Sequence, residues 1–291
     1  MATAALSTVQ RTPGQAAWRR FCRHRLALAG AVIILVLVLG SALGPYLLPF
    51  DDTYIDIMKR FAPPLSGAHI LGTDELGRDV LARLMMGGRV SLSIGIVAMV
   101  MAMAIGIVVG AFAGFYGGAV GAVLMRLVDA VLCFPTIFLL LALAALTEPG
   151  LVTTTVLIAA TAWMAVARVV EAQVRSLRER EFAVAALAFG SSNLRIVFRE
   201  LVPNAIAPIV VAATLNVAKA ILLESYVSYL GFGIQPPAAS WGNMLNNAQI
   251  YLTSAPWLAI VPGVAITLAV TSFNFLGDGL RDALDPRMNI P

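Results

Sequence analysis

SLSIGIVAMVMAMAIGIVVGAFAGF, residues 91–115, contains no charged side chain. A helix crossing about 30 Å of hydrocarbon needs roughly 20 predominantly apolar residues, so this stretch suffices for one span. An open sheet at that depth is excluded, because each unpaired backbone group costs several kcal/mol in lipid. Five further apolar stretches lie on either side of it, at Leu26–Leu48, Val120–Leu146, Leu151–Val170, Pro208–Leu230 and Pro256–Leu276. The expectation is an all-α integral membrane protein with six transmembrane helices.

Composition agrees. Of 291 residues, 59% are hydrophobic and 12% charged, against about 45–50% and about 25% in soluble domains. The pattern divides the chain into a basic segment 1–25, a first span 26–48, an extracytoplasmic segment 49–90, a core domain 91–286 and a short tail 287–291. Arg11, Arg19, Arg20, Arg23 and Arg25 precede the first apolar run, which passes Gly40-Ser41-Ala42 in the outline of a cleavable signal peptide. The run continues through Tyr46 and Leu47 to Pro49, and an uncleaved span with a basic inner flank fits it better.

Cys22 and Cys133 are the only cysteines and form neither a disulfide framework nor a metal-ligand set. His24 and His69 stand alone in polar segments and read as solvated surface residues. A cytoplasmic N-terminus places Arg175, Arg178, Arg180, Arg195 and Arg199 inside, with Arg168 at the membrane edge and Arg281 and Arg287 in the inner tail, which satisfies the positive-inside rule. The outer segment is a partial exception, since it carries Lys59, Arg60, Arg78, Arg83 and Arg89. Tyr116-Gly117-Gly118 and Thr147-Glu148-Pro149-Gly150 are tight turns, so the helices on either side of each should pack as hairpins.

The remaining inner connection, 171–207, is a wet island. Phe182, Ala185, Ala186 and Phe189 recur at the spacing of one helical face, after acids that suit a helix N-terminus. Gly190 suits a left-handed helix end, Ser191 or Ser192 a new N-terminus, and Leu194, Val197, Phe198 and Leu201 repeat the apolar spacing up to Pro203. Three readings fit a helix, glycine turn and helix: a connector resting on headgroups, a DNA-reading helix-turn-helix, or a docking element for another protein's groove. Glu179, Glu181 and Glu200 interrupt the basic face and both ends are tied to spans, which argues against nucleic acid as a partner.

Ala185-Ala186, then Gly190, then Leu201-Val202-Pro203 resemble the EAA segment of the membrane subunits of bacterial ABC importers, with Val184 in place of the family's opening Glu and Glu200 before the closing Leu. Leu71-Gly72-Thr73-Asp74-Glu75-Leu76-Gly77-Arg78-Asp79-Val80 is similar to the outer signature of the C-type permease of dipeptide, oligopeptide and nickel importers. Tyr229-Leu230-Gly231-Phe232-Gly233-Ile234-Gln235-Pro236-Pro237 with Ser240-Trp241-Gly242-Asn243 is similar to that subunit's outer loop, and Gly277-Asp278-Gly279-Leu280-Arg281-Asp282 to its tail. The resemblance implies the type I ABC importer permease fold with a cytoplasmic coupling helix. It also implies an inner-membrane subunit with both termini cytoplasmic, a homologous B-type permease partner, two cytoplasmic ATPase subunits and an extracytoplasmic binding protein seated partly on residues 51–89. Phe182, Ala185, Ala186, Phe189, Gly190 and Pro203 are the expected ATPase-coupling residues.

A phosphate-cradling loop needs Gly, then Lys, then Ser or Thr, and the two lysines, Lys59 and Lys219, follow Met58 and Ala218. ATP and magnesium are therefore expected on partner subunits, with no cofactor or metal on this chain and no enzymatic reaction of its own. The rival from a different class is an ion-coupled secondary transporter, which needs ionisable groups inside the membrane. Arg126 and Asp129, at i and i+3, read as a mutually neutralising pair. Thr214, Glu224, Ser225 and Ser228 share one sector of a helix, a candidate stripe facing a pathway or another subunit, with a buried interhelical contact as the alternative. The uncharged loop 231–255, with Gln235, Pro236 and Trp241, reads as an outer gate. The expected cargo is a dipeptide or oligopeptide, with nickel, glutathione or another small solute as alternatives.

Overall fold

The computed structural model describes residues 13–284; the expectations for Arg11, Arg287 and the 287–291 tail fall outside them. A short helix α1 (Pro13–Phe21) leads into α2 (Arg25–Leu47). His24 is not simply solvated: its Nδ1 accepts the Ala27 N–H at 3.1 Å and so caps α2. Val32, Leu35, Val36, Leu39 and Leu43 form an exposed stripe of large apolar side chains along α2, the composition a lipid-facing surface needs.

Helix α3 (Val80–Tyr116) begins at Val80, well before the apolar run at Ser91. Asp79 caps it through the Ala82 N–H at 2.8 Å. At about 1.5 Å per residue the helix is roughly 56 Å long, so its first turns belong to the outer segment rather than to the hydrocarbon. Arg89 on those turns is tied to α2, because Pro45 has no N–H to give the Ser41 carbonyl and Arg89 Nε supplies one at 2.7 Å. Its Nη2 donates to the Ala42 carbonyl and its guanidinium lies over the Tyr46 ring.

The third apolar run is not one straight helix. It forms α4 (Gly118–Leu132) and α5 (Thr136–Ala145), bent by 79° at the break. Pro135 is the cause: it has no N–H for the ladder, its ring crowds the preceding turn, and it disfavours helical geometry at Phe134. Among the described residues five helices are long and apolar enough to cross a membrane, and there are six spans if the bent pair counts as one.

Helix α6 (Leu151–Arg178) packs along α3 over a stripe of small residues. A methyl group on Gly106 would lie 2.8 Å from the Trp163 carbonyl oxygen, and one on Gly114 would lie 2.6 Å from that of Glu171. Lipid offers no hydrophobic drive for helices to associate, so close backbone approach over small residues provides the attraction. After α6 come α7 (Glu181–Ala188), an irregular helical stretch 193–204, and two long helices, α8 (Ile206–Tyr229) and α9 (Trp257–Leu284). Helix α9 packs on α8 and α2, with Gly30 of α2 against the Ser272 carbonyl. On the outer side, Trp257 Nε1 donates to the Thr73 carbonyl at 3.1 Å and holds the outer segment on the end of α9.

Candidate functional site

Two regions carry the expected functional residues, one at each end of the bundle. At the end read from the sequence as inner, α6 is fixed to α3 by Arg178 Nη1, which donates to the Phe115 carbonyl at 2.8 Å. Three residues on, α7 starts with Glu181 in its first turn, where an acid suits the helix dipole. Ala183 is fully buried and Ala186 packs beside it on a cluster of Phe115, Val174, Ile196, Val197 and Leu201. Phe182, Ala185 and Phe189 are exposed, Phe189 at 89%. The helix is thus rooted by its alanines and presents its phenylalanines outward.

Gly190 takes φ +76°, and a methyl group there would meet nothing within 4 Å, so backbone geometry alone calls for glycine. The Ser191 N–H reaches the Ala186 carbonyl at 3.1 Å and the Gly190 N–H that of Leu187 at 3.0 Å. This double closure ends the helix by satisfying its last carbonyls. Ser192 precedes the next helical turn but makes no side-chain cap.

The second half of the island departs from a simple α-helical face. Residues Ile196–Leu201 form a π-turn, and Ile196, Val197 and Leu201 are buried while Leu194 and Phe198 are exposed. The wider turn shifts the register, so residues five apart, Ile196 and Leu201, share the inward face. Pro203 follows in the helical turn Val202–Asn204 and leads to α8.

At the opposite end, read from the sequence as outer, Glu224 of α8 is fully buried within this chain. Its Oε2 accepts from Ser91 Oγ and its Oε1 from Ser228 Oγ, each at 2.8 Å. Ser91 Oγ in turn accepts the Trp241 N–H at 3.1 Å, and Ser228 Oγ the Ile234 N–H at 3.0 Å. Trp241 of the loop read as an outer gate is buried, and its Nε1 donates to the Leu84 carbonyl at 2.9 Å. One carboxyl group therefore joins α3, α8 and the outer loop. The stripe of Glu224, Ser225 and Ser228 faces this chain's own interior, the interhelical alternative, because Ser91 and the outer loop supply its partners; Thr214 is half-buried and bonds to its own helix.

The outer segment is also more internal than its charge suggests. Asp74 accepts the Arg78 Nε–H at 2.7 Å and lies 3.6 Å from Arg83 Nε, with all three side chains buried. His69 is buried, not solvated: its Nδ1 lies 2.9 Å from Asp79 Oδ2 and its ring stacks on Phe50. Burial and the neighbouring Asp51 push the Asp52 carboxyl up from its ordinary pKa. A cavity of about 200 Å³ separates Asp74, Arg78 and Arg83 from Ser228, Gln235 and Pro236 of the outer loop.

Asp129 does not pair with Arg126. It accepts a hydrogen bond from Arg168 of α6, since the facing helix brings a guanidinium directly to it, and Arg126 is in no ion pair among the described residues. Sequence reasoning missed Ser91, Ala183, Ile196 and the α3 glycines. The glycines at 106, 110 and 114 were visible as a small-residue repeat, whereas nothing in the sequence marks Ser91 over Ser93.

Two family models match. One, for the inner membrane component of binding-protein-dependent transport systems, covers residues 106–290, and another, for the N-terminal transmembrane domain of oligopeptide transport permease C, covers residues 12–64. The chain belongs to the family of inner-membrane permease components of binding-protein-dependent transport systems. With that N-terminal domain it is a C-type permease subunit, a multi-pass inner-membrane protein.

Among curated proteins, it is 43% identical over 273 residues to a putative peptide permease of Brucella suis, covering 93% of this chain and 90% of the relative. It is 39% identical to a dipeptide transport system permease of Bacillus subtilis, covering 94% of this chain and 86% of the relative. It is 38% identical to a glutathione transport system permease of Pectobacterium atrosepticum, covering 96% and 92%. A solved inward-facing structure of the MetNI methionine ABC transporter matches with a TM-score of 0.57 and 22% identity, over 70% of this chain and 96% of that one. That likeness supports the fold, the type I importer permease.

Proposed function

We propose that this chain is the C-type permease subunit of an ABC importer that moves dipeptides or oligopeptides into the cytoplasm. It pairs with a homologous B-type permease so that the pathway runs between them. Two cytoplasmic ATPase subunits, which carry ATP and magnesium, dock on α7, and a binding protein docks on the outer segment. Both termini lie in the cytoplasm.

The observation that carries this reading is the two-faced α7. A connector that only rests on headgroups has no need for a buried alanine root, a closed glycine end and two outward phenylalanines on eight residues. Rooted through Ala183 and Ala186 on α3, α6 and the π-turn, the helix transmits a push on Phe182 or Phe189 to the bundle as a rigid body. Relatives with peptide or dipeptide in their names support the cargo, and the glutathione relative has a peptide-like cargo too.

Reconstitution tests it. The complex with its ATPase subunits and binding protein should accumulate radiolabelled dipeptide in proteoliposomes only with ATP inside the cytoplasmic compartment. Uptake by the isolated chain driven by an ion gradient would establish the secondary transporter instead.

A further inference from the structure

Arg83 is a buried cation that the rest of the chain leaves unmet. It stands at the start of the second turn of α3, is 5% exposed, and lines the cavity of about 200 Å³ between the outer segment and the outer loop. A guanidinium has five N–H donors and keeps its charge in a protein. Yet the Arg83 side chain donates no hydrogen bond among the described residues. Its Nη1 is sealed without a partner, and its Nε comes no nearer to an acid than 3.6 Å, at Asp74 Oδ2.

The neighbouring acids are committed elsewhere. Asp74 Oδ1 accepts the backbone N–H groups of Leu76 and Arg78, each at 2.9 Å, and its Oδ2 accepts from Arg78 Nε at 2.7 Å. Glu75 Oε1 accepts from Arg78 Nη2 at 3.3 Å. Two acids thus serve one arginine, and the second arginine has no acceptor of its own. Buried polar groups are hydrogen-bonded as a rule, because each one left unpaired bears its full desolvation cost.

The cavity beside Arg83 has the makings of a site. Its lining includes Val80 and Ile234, both buried, while its exposed lining residues are Gln235, Pro236 and Asn247 of the outer loop. It is smaller than the roughly 300–1,000 Å³ that encloses a drug-sized ligand, so it suits one end of a peptide rather than a whole one. The lining carries two arginines and two acids, so it presents no net negative charge to repel an anion.

We propose that this cavity is a carboxylate-binding site, in which Arg83 receives the C-terminus of a peptide arriving at the outer face. A guanidinium fork and a carboxylate match through two parallel N–H···O bonds, and Arg83 has no existing hydrogen bond to give up. The site follows from Arg83 and the cavity, whereas the peptide as the source of the carboxylate rests on the proposed cargo.

The test uses the reconstituted membrane complex in nanodiscs, with the binding protein omitted or added, and three probes: alanylalanine, its C-terminal amide and acetate. Isothermal titration should show alanylalanine binding about tenfold to a hundredfold more tightly than the amide, the scale of a hydrogen bond to a charged group, with acetate competing. Arg83→Met should abolish the difference between acid and amide. It should not lower the melting temperature of the empty complex, because Asp74 keeps Arg78 and an apolar side chain replaces an unmet charge. Arg83→Lys, which keeps the charge without the fork, should retain only part of the preference.

Equal affinity for acid and amide in the unaltered complex, or no binding of any probe, would overturn the site and leave a cavity for water alone. A lower melting temperature in Arg83→Met with the acid preference intact would make Arg83 a structural residue, and would also overturn it. If no small probe binds and Arg83→Met instead weakens the hold on the binding protein, the acceptor is a side chain of that protein and the peptide terminus is overturned. If the complex transports no peptide but acetate still binds through Arg83, the site stands and the cargo reading alone fails.

Discussion

Ser91 of α3 and Glu224 of α8 are 133 residues apart in sequence and share a 2.8 Å hydrogen bond in the interior of the protein. Its direction is set by the backbone. Each serine hydroxyl on Glu224 already accepts a loop N–H, from Trp241 or from Ile234, so each donates its own proton to the carboxyl. Glu224 accordingly serves as an acceptor at both oxygens, and through Ser91 and Ser228 it holds the backbone of the outer loop.

Ser91→Ala removes the donor to Glu224 and the acceptor of the Trp241 N–H together. A buried polar group left unpaired costs about 1–3 kcal/mol, so the purified complex should lose several degrees of thermal stability and transport more slowly. Glu224→Ala should be worse than Glu224→Gln, because the amide oxygen still accepts one hydroxyl. Equal melting temperatures for all three variants and the wild type would contradict the arrangement.

Gly190 tests the lever. Proline locks φ near −65° where the chain has +76°, so Gly190→Pro should break the closure of α7 and leave ATP hydrolysis running without uptake. Gly190→Ala meets no atom and bears only the left-handed penalty of about 1–2 kcal/mol; it should keep most coupling. The readout is peptide moved per ATP hydrolysed, and an unchanged ratio in the proline variant counts against a rigid lever.

Phe182 and Phe189 are exposed and root nothing. Phe182→Asp with Phe189→Asp should leave the stability of the isolated chain within about 1 kcal/mol, as surface changes do, and abolish co-purification of the ATPase subunits. Retention of those subunits at wild-type stoichiometry would remove α7 as the docking element.

Asp74 is shared by two buried guanidinium groups, Arg78 and Arg83. Removing one partner of a buried ion pair costs roughly 3–5 kcal/mol. Asp74→Asn should therefore destabilise the outer segment strongly, read as proteolytic sensitivity between residues 50 and 79, whereas Glu75→Gln, at a half-exposed partner 3.3 Å from Arg78, should be mild.

Much of the architecture is legible in the sequence because hydropathy and helical period are local properties. The six apolar runs, the two tight turns and the glycine closure of α7 each follow from residues within a few positions of one another. The bend at Pro135 was in principle legible as well, since proline has no N–H wherever it stands, although the unbroken hydropathy of Val120–Leu146 conceals it. His69 reads as surface from its polar neighbours and is buried because Asp79 and Phe50 fold onto it.

What the sequence by itself determined is therefore the class of protein, the number of apolar runs and the presence of a wet helix with a glycine end. Tertiary structure alone decided which way the polar residues of the spans point: Glu224 inward to Ser91, Asp129 to Arg168 rather than Arg126, and Ile196 inward through a π-turn. The physical reason is that an intramembrane polar group takes whatever partner the neighbouring helix brings within about 3 Å. That choice depends on helix packing across the fold, which no local period encodes.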